Sequence, residues 1–133
     1  MFRIKSIIIG TVLATNAIAT TLPTVPPHNL TTHNLTNVWS EAFVEGTIRT
    51  EKNATPPNTT KKVAWTEVLF ICHKRPQCWA LVKMNTKGDK SVDLCKVTLD
   101  VKTGIITPEA LCAGNNGYAL TVNGPGEVTL TRK

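Results

Sequence analysis

Val63–Met84 reads VAWTEVLFICHKRPQCWALVKM, two apolar runs flanking a short basic loop with a cysteine at each end. Set as an antiparallel hairpin with Cys72 facing Cys78, the stretch places Phe70 opposite Ala80, Val68 opposite Val82 and Thr66 opposite Met84 on the cysteine face. On the other face Ile71 meets Trp79, Leu69 meets Leu81 and Glu67 meets Lys83. One register thus joins the cysteines, two apolar clusters and an opposite-charge pair, and a one-residue slip would undo all of them. Because both faces are largely apolar, the hairpin is expected at the centre of the fold, covered on both sides.

Outward from this stretch the chain alternates with period two. Over Val92–Val101, Cys95, Val97, Leu99 and Val101 point one way, while Lys96, Thr98 and Asp100 point the other, so the sheet has one wet face. Lys102-Thr103-Gly104 reads as a hairpin loop, with Gly104 free to take the left-handed conformation. Thr107-Pro108-Glu109 has the form of an N-cap with proline at the first helical position, which predicts one helical turn over Pro108–Leu111. Tyr118, Leu120 and Val122 form one face of a further strand, and Val128 and Leu130 continue that face after the Gly124-Pro125-Gly126 turn. The expected fold is all-β, a small disulfide-stabilised β-meander of short strands in a sandwich or partly open barrel.

The N-terminus has a different character. Arg3 and Lys5 precede an apolar run, Ile7–Ala14, and Ala17-Ile18-Ala19 has the small residues of a cleavage site, so residues 1–19 read as a secretory signal peptide. The apolar run is too short to span a bilayer, and no later segment is apolar enough to do so. Residues 20–62 are rich in Thr, Asn and Pro and read as a largely disordered linker, with a possible edge strand at residues 42–50. The compact domain is expected from Val63 to Lys133. Asn29, Asn34, Asn53 and Asn58 each begin an Asn-x-Thr triplet, which carries glycans only in a eukaryotic secretory pathway. His28 and His33 stand five residues apart in the repeated word His-Asn-Leu-Thr, which reads as a repeated linker word rather than as a pair of metal ligands.

Four cysteines follow the leader and none precedes it, which in a short exported chain reads as two disulfides with three possible connectivities. The hairpin register selects Cys72–Cys78 and leaves Cys95 to Cys112. The cysteine spacings match no common zinc pattern, and no metal or other cofactor is expected. Cleavage after Ala19 removes two basic residues and leaves 13 basic against 9 acidic, a net charge of +4. The longest runs of adjacent bases are pairs, without interleaved aromatics, so nucleic acid is not an expected partner.

The folded region holds His73 and no nucleophile motif, phosphate loop or metalloprotease signature, and no two acids are placed as an acid–base couple. An enzyme is therefore not expected. Trp65, Trp79 and Tyr118 are read as core. The remaining candidate surface is the loop His73, Lys74, Arg75, Pro76 and Gln77 inside the first disulfide, with His73, Lys74, Arg75 and Gln77 as the binding residues. The wording Cys-x-Lys through Pro-Gln-Cys resembles the reactive loop of Bowman–Birk inhibitors over Cys72–Cys78. The ring is shorter and lacks the serine after the basic residue. That resemblance implies inhibition of a secreted hydrolase. The first expectation is different: a small exported, non-enzymatic domain that binds a protein or cell-envelope component.

Overall fold

The computed structural model describes residues 25–45, 48–49, 54–73, 75–109, 112 and 116–133. The expected leader, Lys74 and Asn53 lie outside them. Among the described residues the strands are β1 (Asn29–Asn34), β2 (Ser40–Val44), β3 (Ile48–Arg49), β4 (Thr59–Ala64), β5 (Gln77–Met84), β6 (Val92–Asp100), β7 (Ile106–Pro108), β8 (Tyr118–Gly124) and β9 (Glu127–Arg132), with one helix, α1 (Trp65–Ile71), between β4 and β5. They form two open sheets, ordered β4-β1-β9-β8 and β3-β2-β5-β6-β7. The β1–β9 ladder is parallel and the others are antiparallel. The all-β class with a short helix and two disulfides therefore holds, but the strands do not follow one another as a simple meander.

Both sheets turn one face onto a shared core. Val63, Tyr118, Val128 and Leu130 come from the first sheet, and Val44, Val82, Met84, Val97 and Leu99 from the second. The alternation read in β6 and in the β8–β9 hairpin appears as burial: Cys95, Val97, Leu99 and Val101 are buried and Val122 pairs with Val128. The odd parity of that hairpin comes from a two-residue turn, Pro125-Gly126, plus a register shift between Val122 and Gly124. Gly126 has φ +65, and a Cβ there would lie 2.9 Å from the Asn29 carbonyl oxygen, so the approach of β9 to β1 needs glycine. Gly104 is left-handed, at φ +80.

Three expectations are corrected. The proposed hairpin between residues 66–72 and β5 does not exist: β5 pairs with β2 on one side and β6 on the other, and Trp65–Ile71 is helical. Trp65, Val68 and Cys72 are buried at helical spacing while Phe70 is 78% exposed. An apolar run this short satisfies both periods, and burial on one side only favours the helix. Glu67 accordingly does not oppose Lys83, which instead lies between Glu41 and Asp93 in the sheet register and 3.2 Å from the Asp93 carboxylate. The structure joins Cys72 to Cys78 and Cys95 to Cys112, the first bond linking the end of α1 to β5 rather than two paired strands.

The second correction concerns the Thr/Asn-rich segment. Residues 29–62 are not a linker, because β1, β2 and β4 run through both sheets and the folded domain begins well before Val63. The edge strand expected at residues 42–50 is two strands, β2 inside the sheet beside β5 and β3 at its edge. Thr-rich strands supply β-branched residues and a full backbone ladder, and Leu30 packs on the core. Where an apolar residue would be expected, Asn34 is completely buried. Its Nδ2 donates to the carbonyls of Val38 (2.8 Å), Thr55 (3.2 Å) and Pro56 (3.1 Å), and its Oδ1 accepts from the Thr36 N–H (3.0 Å) and hydroxyl (2.7 Å). A glycan cannot be carried at that nitrogen. The third correction is the helical turn: Thr107 and Pro108 belong to β7, paired with Thr98 and Val97. The rest of the turn expected over Pro108–Leu111 includes residues 110–111, which lie outside the described residues, and Cys112 N–H donates to Glu109 O at 3.0 Å.

Candidate functional site

The Cys72–Cys78 tip is built from its hydrogen bonds outward. At the end of α1, Cys72 N–H donates to Val68 O at 3.0 Å, and His73 reverses the chain with φ +55 while its N–H reaches Phe70 O at 3.1 Å. A non-glycine residue in the left-handed region ends helices this way, the following turn being closed by Arg75 N–H to Cys72 O at 3.2 Å. The same carbonyl accepts Arg75 Nε at 3.1 Å. On the far side of the ring, Pro76 O accepts Val101 N–H at 3.0 Å.

A carboxylate from β2's end completes the tip. Glu45, itself left-handed at φ +54, takes Arg75 Nη1 on one oxygen (2.9 Å) and the Trp79 backbone N–H on the other (3.2 Å). The Arg75 hydrogen bond, followed by the Trp79 N–H, holds the Glu45 pKa below the ordinary glutamate value. Arg75 is thus folded against the body of the domain by three contacts. His73, Pro76 and Gln77 are exposed beside it.

Of the sequence-predicted residues, His73, Arg75 and Gln77 lie together at this tip. Sequence reasoning missed two others. Phe70 was placed in a buried cross-strand pair but stands outward on α1 next to the ring, because the helix turns Val68 and Ile71 inward instead. Helical spacing of Trp65, Val68 and Cys72 was the signal available for it. Glu45 was missed because it arrives from a strand 30 residues away in sequence. The tip offers an exposed aromatic, a positioned guanidinium and an imidazole, held by a covalent bond and an ion pair. It can make apolar and charge-assisted contacts to a partner at little entropic cost.

The aromatic residues read as core divide. Trp65 is buried with its indole N–H on Val101 O at 3.0 Å, and Tyr118 is buried, whereas Trp79 is half-buried beneath Lys96, whose Nζ lies 4.5 Å from the ring centre. His33 sits between Thr60 and Glu127, its Nδ1 2.9 Å from the hydroxyl and its Nε2 2.6 Å from the carboxylate, across β4, β1 and β9. The carboxylate only accepts, so Nε2 carries the proton. Hydroxyl, imidazole and carboxylate in a row resemble a nucleophile relay. They face solvent as cross-strand neighbours, outside the cavity that lies between the two sheets, and their geometry is that of a sheet-bracing bridge.

Comparison with known proteins places the chain. No curated protein matches it. The crystal structure of the Legionella pneumophila type II secretion system substrate NttC is similar, with 37% identity, a TM-score of 0.71, and coverage of 80% of this chain and 99% of that one. A family model described as type II secretion system substrate NttC matches residues 4–133. The chain therefore belongs to the NttC family of type II secretion system substrates, and is a secreted protein.

Proposed function

We propose that the chain is a secreted, non-enzymatic binding domain whose partner-facing surface is the α1–β5 tip: Phe70, His73, Arg75 and Gln77, with Lys74 between them in sequence. The observation that carries this reading is Phe70, 78% exposed on a helix whose opposite face is buried, beside a loop that a disulfide and the Glu45–Arg75 pair hold in place. Exposed aromatic and arginine side chains on a preorganised support are the composition of interface hot spots. The partner is a protein or cell-envelope component presenting an apolar pocket with an acidic rim. Residues 1–19 act as the leader that delivers the chain to the oxidising periplasm, where both disulfides close before secretion.

The inhibitor reading draws less support from the geometry. A protease reads an extended segment with a projecting side chain. Here His73 is left-handed and Arg75 folds back onto Cys72 O and Glu45. The test of the binding reading compares the secreted chain with Phe70→Ala and Arg75→Ala in capture from cell-surface and envelope fractions, followed by titration against the recovered partner. Loss of tenfold or more in affinity with an unchanged melting temperature is the expected result. Equal binding by all three proteins removes the tip as the working surface.

A further inference from the structure

Between the two sheets lies a cavity of about 130 Å³. Its walls are branched aliphatics from three elements: Val63 and Leu130 from the first sheet, Val82 and Val97 from the second, Val68 and Ile71 from α1. Interiors of small domains are packed to crystal-like density and hold few voids larger than a water molecule. This void persists because its walls cannot close on it. Two hydrogen-bonded ladders form its sides, and the Cys72–Cys78 bond, itself part of the lining, ties α1 to β5 above it.

The polar part of the lining defines the ligand further. Thr32 and Lys61, each partly exposed, line the cavity from the β1–β4 side. Lys61 and the buried Glu41 contribute one charge of each sign. No net charge therefore selects an ionic head, and apolar surface does the binding. A cavity of about 150 Å³ lined by aliphatic and aromatic residues stays dry and admits benzene. The geometry points to a binding site for a small neutral apolar group, a benzene-sized ring or an alkyl segment on the order of six carbons. This site is separate from the tip: α1 presents Phe70 outward and seals the cavity with its inner face.

The test is a two-dimensional amide NMR titration of the secreted chain with benzene, n-hexanol, hexanoate, and lauroyl lysophosphatidylcholine below its micelle concentration. Benzene and hexanol shift the amides of residues 68, 82, 97 and 130 saturably, and hexanoate binds at least tenfold more weakly. If the lysolipid shifts the same amides, the natural group is the end of an acyl chain; if it does not while hexanol does, the group is a free small molecule. Both results support the site. Absence of saturable shifts at these amides with both benzene and hexanol overturns it, and hexanoate binding as tightly as hexanol overturns the neutral class. Val97→Phe fills the void and abolishes hexanol binding. Should that variant not fold, Ala80→Leu provides the smaller filling, and the wild-type titration decides alone.

Discussion

Two polar corners of the molecule use the same chemistry to opposite ends. At Asn34 one side chain makes five hydrogen bonds in complete burial, joining the end of β1 to Val38, Thr55 and Pro56. At the α1–β5 tip, Glu45 makes its bonds to Arg75 and Trp79 where water reaches them. A buried donor left without a partner costs its full desolvation, whereas an exposed one exchanges its partner for water. The first corner therefore holds the fold, and the second holds a surface in shape.

Breaking each in turn sharpens the contrast. Asn34→Ala leaves the Pro56 carbonyl and the Thr36 N–H without the Asn34 side chain, while Thr55 O keeps the Ser40 N–H and Val38 O keeps the Thr36 hydroxyl, and it is expected to cost about 2–4 kcal/mol in urea unfolding. A cost no greater than that of Glu45→Gln would dissolve the distinction. Next come the covalent links. Replacing Cys95 and Cys112, separated by 17 residues, with alanine is expected to cost about 3 kcal/mol, and replacing Cys72 and Cys78, separated by 6, about 2 kcal/mol. Equal losses would show that loop length does not set the contribution of the two links.

The smallest effect on stability belongs to the Glu45 clasp, and it depends on pH. Folding depresses the Glu45 pKa, so the stabilisation is present above the unfolded-state value and is lost as pH falls through the folded one. Arg75 Nε–H and Trp79 N–H resonances followed by NMR should report release of the tip below the ordinary glutamate range while the Asn34 amide stays unchanged. Simultaneous change at both corners would mean that the tip is not an independent unit. Last, the chain at micromolar concentration should leave trypsin uninhibited, with Arg75→Ala indistinguishable from it. Measurable inhibition that Arg75→Ala removes would restore the inhibitor reading.

Much of the second half was legible because its signals are local. The alternation in β6, the left-handed Gly104 and the parity that pairs Val122 with Val128 each follow from a handful of neighbouring residues. The candidate site was legible only in part. Its ring and its basic residues could be read, whereas Phe70 was signalled only by the helical spacing of Trp65, Val68 and Cys72, and Glu45 by nothing local. One depended on whether a short apolar run coils or extends, the other on a contact from a distant strand.

What the sequence by itself determined is therefore the all-β class, the alternating faces of β6, β8 and β9 and the even set of cysteines, all of which rest on period-two patterning or on composition. Tertiary structure alone decided that Trp65–Ile71 is a helix, that the Thr/Asn-rich segment enters both sheets, and that β1 lies parallel to β9. These are settled by which distant surface covers a given side chain. A threonine-rich strand with one buried asparagine carries little apolar signal of its own, and only the carbonyls gathered around Asn34 make its burial favourable.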